Sequence, residues 1–144
     1  MKYIIKTLPK PQSRPRFSRH GTSVRTYEKS DMKAYKRNVQ LQLMISKPKL
    51  IDKGPIYVNI VFYVYPPKTV VSSKTKRSKV EQELVYCDKK PDLDNYFKAI
   101  TDAAEGILYK NDGQIAAIST QKLYSFKPRV ELEIDFLNER GELT

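Results

Sequence analysis

The cleanest pattern in the chain comes near its end. Across residues 129–137, Val130, Leu132, Ile134 and Phe136 take one side of an extended backbone, and Glu131, Glu133 and Asp135 take the other. Period-two alternation of this kind predicts a strand with one buried face. Residues 56–65 behave differently: they are β-branched or aromatic at nearly every position and run into Pro66-Pro67. That composition predicts a central strand largely covered on both faces. Residues 2–8 predict a short strand stopped by Pro9 and Pro11, and residues 114–124 predict another. Ser125 to Pro128 would then be a hairpin turn joining the last two strands.

Two stretches keep helical spacing instead. Met32, Tyr35, Val39 and Leu43 share a face of a helix capped by Ser30 and running to about Ile45, with Lys33, Lys36, Arg37 and Gln40 toward the other face. Leu93, Phe97, Ile100, Ala104 and Ile107 mark a second helix, with Gly106 suited to its end. Residues 12–27 show no period, and residues 68–83 carry little apolar content. Both are expected as loops, the second within a mobile basic segment spanning 68–90. The order strand, helix, strand, helix, strand, strand predicts one α/β (α+β) domain over residues 1–144, a mixed sheet packed by two helices.

Charge adds a direction to this outline. The net charge is +11, and it is segregated: residues 1–54 carry +11, residues 55–90 carry +4 and residues 91–144 carry −4. Basic excess on this scale suits a nucleic-acid backbone. Arg14, Arg16, Arg19, His20 and Arg25 are interleaved with Phe17 and Tyr27, a mixture suited to phosphates and unstacked bases. Lys74, Lys76, Arg77, Lys89 and Lys90 extend the candidate DNA-binding set. The single cysteine, Cys87, excludes a disulfide framework and a multi-cysteine zinc site, and the single histidine excludes a His-rich metal site. No phosphate-binding Gly-rich loop with Lys-Ser/Thr and no Gly-x-Ser-x-Gly elbow occurs, so no nucleotide cofactor is expected. The N-terminal apolar run is too short for a secretion signal and no stretch is long enough to span a bilayer. A reducing cytoplasm is the expected setting.

Against this basic background the acidic residues stand out. Asp92 and Asp94 lie two apart, after Pro91 and at the start of the second helical pattern, and Asp112 follows in Asn-Asp-Gly-Gln-Ile. Asp94 and Lys98 are one helical turn apart, whereas Asp92 suits an extended position just ahead of the helix, from which its carboxylate can turn toward Asp94. Asp112 precedes a strand that could pair beside residues 56–65. Three neighbouring carboxylates repel one another, and Mg²⁺ would relieve that conflict with oxygen ligands while keeping waters for a phosphate. Lys98 could add positive charge at the phosphate or help orient the attacking water. Taken singly, aspartates at a helix start serve the helix dipole and Asn-Asp-Gly is an ordinary turn. Asp102 and Glu105 read simply as the polar face of the helix.

The stretch Lys90-Pro-Asp-Leu-Asp-Asn-Tyr-Phe-Lys98, followed by Asp102-Ala-Ala and Asn111-Asp-Gly-Gln-Ile115, closely resembles the RusA family of Holliday-junction resolvases. The opening strand with Leu8-Pro9, the basic stretch after it and the final two strands look similar as well. The resemblance implies a small α/β homodimer, common in phages and prophages and working in the bacterial cytoplasm. It would cut four-way DNA junctions by paired symmetric nicks during recombination and repair, with Mg²⁺, or Mn²⁺ in its place. By position it implies Asp92, Asp94 and Asp112 as metal-binding and catalytic carboxylates and Lys98 as the catalytic lysine. Where the family often has two aspartates this chain has Asn111-Asp112, and the second aligns as the ligand. Residues 68–90 are long and basic beside compact family members. Two other readings compete: a non-catalytic DNA- or RNA-binding module with structural aspartates, and a nuclease of the same chemistry acting on flaps or forks.

Overall fold

Burial alternates along Ile56–Val64: Ile56, Val58, Ile60 and Phe62 are wholly buried, and the residues between them are half-buried. This strand is the centre of the molecule. The computed structural model describes residues 1–12, 16–20, 23–27 and 30–138, with 16–20 and 23–27 described as backbone. Along the chain these residues form β1 (Lys2–Ile5), β2 (Arg16–His20), β3 (Ser23–Tyr27), α1 (Ser30–Ile45), β4 (Ile56–Val64), α2 (Lys74–Glu81), α3 (Leu93–Ala104), β5 (Ile115–Tyr124) and β6 (Arg129–Phe136). Short 3-10 turns occupy Lys68–Val71 and Asp112–Gln114.

The main sheet has the order β1-β6-β4-β5, with β4 and β5 parallel and the other pairs antiparallel. It is the mixed sheet expected. The expected hairpin between the last two strands is not: β5 and β6 lie on opposite sides of β4. A strand as apolar as β4 is stable only with both backbone edges paired. Residues 125–128 therefore pass over its end, spanning two strand spacings of about 10 Å in all. Ser125 N donates to Val64 O at 2.9 Å, and the Phe126 ring meets Tyr65 edge-on at 5.9 Å.

One core joins the buried face of this sheet to two helices. Met32, Tyr35, Val39 and Leu43 of α1, the face expected from spacing, pack in it with Ile5, Val130, Leu132 and Ile134. From α3 come Tyr96, Ala99, Ile100, Ala103 and Ala104, and Tyr96 stacks on Phe62 at 5.3 Å. The stripe expected for α3 is thus rotated: Leu93 and Phe97 are only half-buried and edge a cleft. Gly106 ends the helix in the left-handed region, φ +85°, as glycine permits. The opposite face of β4 is covered less than expected, and two of the acidic residues beside it are paired, Glu131 with Lys2 (3.0 Å) and Asp135 with the N-terminal amine (3.6 Å). Phe136, expected inward, is exposed at the strand's end.

Two expected loops carry regular structure. Residues 16–27 hold the antiparallel pair β2 and β3, with Ser18 opposite Arg25 and Arg19 opposite Val24. Residues 68–90, expected as a mobile basic loop, contain the 3-10 turn and α2, a third helix where two were expected. Hydrophobic periodicity could not reveal α2 because its one buried residue is Val80. Its start is local chemistry: Ser73 accepts from Lys76 N at 3.2 Å as an N-cap. Past its end, Glu83 (φ +59°) receives a two-pronged bond from Arg129, at 2.7 and 3.0 Å, while Arg129 lies 3.8 Å over the Tyr63 ring.

The Arg129 hydrogen bond holds the Glu83 carboxyl below its usual range. The stabilisation is therefore present above the unfolded carboxylate pKa and lost as pH falls through the lowered folded value. Glu83→Gln is expected to cost about 1–2 kcal/mol in urea unfolding at pH 7. The gap between variant and wild type should close in strong acid.

Candidate active site

The β4–α3–β5 packing brings the acidic motif against one sheet edge. Asp92 stands at the N-cap position of α3 in extended conformation (φ −66°, ψ 142°), as expected, but its side chain makes no capping bond. Asp94 follows in the first turn, accepting from Asn95 N at 3.0 Å. Both carboxylates are exposed. The loop ahead of them is tied to β5 by a residue that spacing did not single out. The Lys122 ammonium donates to the carbonyls of Lys89 and of Pro91, the latter at 2.7 Å. Cys87 N returns a bond to Lys122 O at 2.8 Å. An ammonium with two carbonyl acceptors holds this backbone beside the strand, and so sets where Asp92 begins.

Asp112 is placed by its neighbours in the Asn-Asp-Gly-Gln turn. Asn111 Oδ1 accepts from Gly113 N at 2.8 Å, and Gln114 Oε1 accepts from Asn111 N at 2.9 Å, a reciprocal capping box. Gln114 Nε2 reaches on to the carbonyls of Ile51 and Gly54, both at 3.2 Å. None of these turn bonds uses the Asp112 carboxylate. Among the described residues its Oδ1 is buried with no hydrogen-bond partner. Its backbone N donates to Glu105 at 2.7 Å. Burial pushes the Asp112 carboxyl above its usual range; the Tyr109 hydroxyl opposes the rise, and the negative Glu105 and Asp102 add to it.

Asp94, Lys98 and Asp112 line one cavity of about 650 Å³, walled by apolar Leu93, Phe97, Ile115 and Ile118. Asp92 lines a neighbouring cavity of about 590 Å³ with Lys89, Lys90 and Lys122. Leu93 and Thr120 border both. Among the described residues, no three His, Cys, Asp or Glu side chains are grouped to hold one ion. The fit to a divalent cation is one of chemistry: oxygen donors, two of them on one cavity, and a buried acceptor lacking a partner.

Lys98 does not pair with Asp94. Its ammonium bonds Asp102 one turn further on, at 3.0 Å, and that contact holds its pKa above the usual lysine range. Asp102 and Glu105, expected as a plain polar face, thus contact the site residues Lys98 and Asp112.

The basic residues are dispersed. Lys74, Lys76 and Arg77 lie exposed on α2, with Arg77 5.6 Å from the Phe126 ring centre, and line neither cavity. Arg16, Arg19, His20 and Arg25 fall on β2 and β3, and Arg14 lies outside the described residues. No helix among the described residues is long and apolar enough to cross a membrane.

Comparison with known proteins agrees with the motif. The family described as Endodeoxyribonuclease RusA matches residues 7–135. The Bacillus subtilis (strain 168) protein named Uncharacterized protein YqaN is 35% identical over 134 residues, covering 93% of this chain and 94% of that protein.

A carboxyl pushed up by burial and like charge favours the fold while protonated and loses that benefit as pH rises through the folded pKa. Asp112→Asn should therefore raise the melting temperature of the metal-free protein at neutral pH, and the gain should shrink below the usual carboxylate range. Thermal unfolding in a chelator at the two pH values checks this.

Proposed function

Because the chain belongs to the RusA endodeoxyribonuclease family, we propose that its substrate is the four-way DNA junction, cut in a Mg²⁺-dependent reaction at the cavity of Asp94, Lys98 and Asp112. The observation that carries this reading is the convergence of two acidic residues and a lysine from separate parts of the motif on one cleft. The unpartnered, buried oxygen of Asp112 adds to it. Such an atom costs stability in the metal-free chain, as sites built for a ligand often do.

Asp94 and Asp112, with Asp92 from the adjoining loop, would hold the ion. When bound, Mg²⁺ supplies a Lewis acid for the phosphate and lowers the pKa of a bound water. The residues supply the rest. Lys98 keeps its proton beside Asp102, so it serves as a cation facing the phosphate oxygens rather than as a base. Phe97, Ile115 and Ile118 give the same cleft an apolar side, with Ile118 itself exposed to solvent. Lys89 and Lys90, beside Asp92, and the exposed cations of α2 would take the DNA backbone, together with the basic residues of 14–25. A homodimer suits the chemistry: a junction has approximate two-fold symmetry, and a C₂ pair presents two equivalent sites for paired nicks.

Asp92→Asn and Asp112→Asn are each expected to lower Mg²⁺-dependent nicking of a synthetic four-way junction by at least ~10³-fold while junction binding persists. Full cleavage by either variant would remove that residue from the site. Wild-type cleavage of four-way, three-way, flap and linear substrates tests the substrate assignment. Preference for flaps or forks replaces the junction, and divalent-independent binding without nicking favours a binding module. Replacing Lys74, Lys76 and Arg77 with glutamine should weaken junction binding and flatten its salt dependence, by up to about 0.9 in log–log slope for each phosphate no longer neutralised. An unchanged slope would take α2 out of the DNA footprint.

A further inference from the structure

Asp102 accepts from two lysines on two helices. Lys98 Nζ reaches its Oδ1 at 3.0 Å from one turn earlier on α3, and Lys36 Nζ reaches its Oδ2 at 3.3 Å from α1. With a different donor on each oxygen, the carboxylate cannot turn without stretching one bond. Exposure grades across the three side chains: 15% for Lys36, 24% for Asp102 and 62% for Lys98. The sheltered end lies in the α1–α3 contact, and the exposed end borders the cavity of Asp94 and Asp112.

We propose that Asp102 is a positioning residue: held by Lys36, it sets where the Lys98 ammonium stands at the rim of that cavity. The proposal rests on the reading of Lys98 as the cation that faces the phosphate. Stability alone is a weak reason for the Lys98 half of the arrangement, since an exposed ion pair one helical turn apart contributes little. Geometry is a stronger one. A lysine head on four methylenes sweeps a wide arc, and restraining it removes freedom that the reaction would otherwise have to remove. Misplacement of a catalytic group by about 1 Å can lower a rate ~10²-fold. The bond to Lys36 also makes the packing of α1 on α3 a determinant of the lysine's position, although α1 lines neither of the two cavities.

The experiment is a double-variant cycle on the full chain, with single-turnover cleavage of a four-way junction in Mg²⁺. Asp102→Asn is expected to slow the cleavage step roughly 10- to 100-fold, as loss of a residue that orients a catalytic group does. Junction affinity should be unchanged. Asp102→Asn/Lys98→Ala should be no slower than Lys98→Ala, because the first residue acts through the second. Asp102→Glu should restore part of the rate, and Lys36→Met should slow cleavage in the same direction. Losses that multiply in the double variant, or wild-type cleavage by Asp102→Asn, overturn the proposal. If Asp102→Asn fails to fold, Lys36→Met combined with Lys98→Ala provides the same cycle. A second readout needs no cleavage: the ¹³Cε resonance of Lys98, assigned by its loss in Lys98→Arg, should shift in Asp102→Asn. An unmoved resonance refutes the positioning role. A wild-type protein inert on branched DNA refutes the functional reading instead.

Discussion

Everything near the site depends on how β4 pairs its two edges. An apolar strand buried at the middle of a sheet cannot leave backbone groups without partners. It meets β6 antiparallel and β5 parallel. Parallel pairing cannot be closed by a tight turn; it needs a crossover, and here the crossover contains α2, the Lys122-tied loop and α3. The same constraint that completes the sheet therefore lays α3 against β5. Asp94 and Lys98 come to share a cleft with Asp112, which immediately precedes that strand. Tyr96 stacked on Phe62 fixes the helix rotation, leaving Phe97 and Lys98 at the cleft.

The electrostatics follow from that placement. In a chain of net charge +11, negative groups gather on α3 and in the turn after it. Asp102 shares two lysines, and Glu105 takes a backbone donor, but the buried oxygen of Asp112 has no partner among the described residues. One oxygen of that carboxylate is left without a donor, the Tyr109 hydroxyl only partly offsets its burial, and such a group is destabilising until a cation or proton arrives. On the far side of β4, by contrast, Arg129 is satisfied by Glu83, Glu131 and the Tyr63 ring. The contrast between the matched Arg129 cluster and a carboxylate oxygen left without a donor beside a cleft marks the candidate site.

Legibility in the sequence varied with the range of the interaction. Local signals were readable: α1 from the spacing of Met32, Tyr35, Val39 and Leu43, the end of α3 from Gly106, and the extended placement of Asp92 from Pro91 and the capping preference. The candidate set Asp92, Asp94, Lys98 and Asp112 rests on residue types at fixed spacing, and the structure brings the last three to one cavity and Asp92 to the next. The strand pair at 16–27 went unseen because its residues show no clean period-two alternation. Helix α2 went unseen because one buried valine leaves no periodic trace.

By itself, the sequence determined the main strands and helices, the segregation of charge and the family to which the chain belongs. Each of these is written in residues close together or in residue types. The tertiary structure alone decided that β5 and β6 flank β4 rather than each other. It also decided that Lys122 ties down the loop before Asp92, and that Asp102 bonds Lys36 on α1. Those outcomes depend on which distant segments share an edge or a helix contact. Periodicity reports which face of an element is buried, but not what is packed against it.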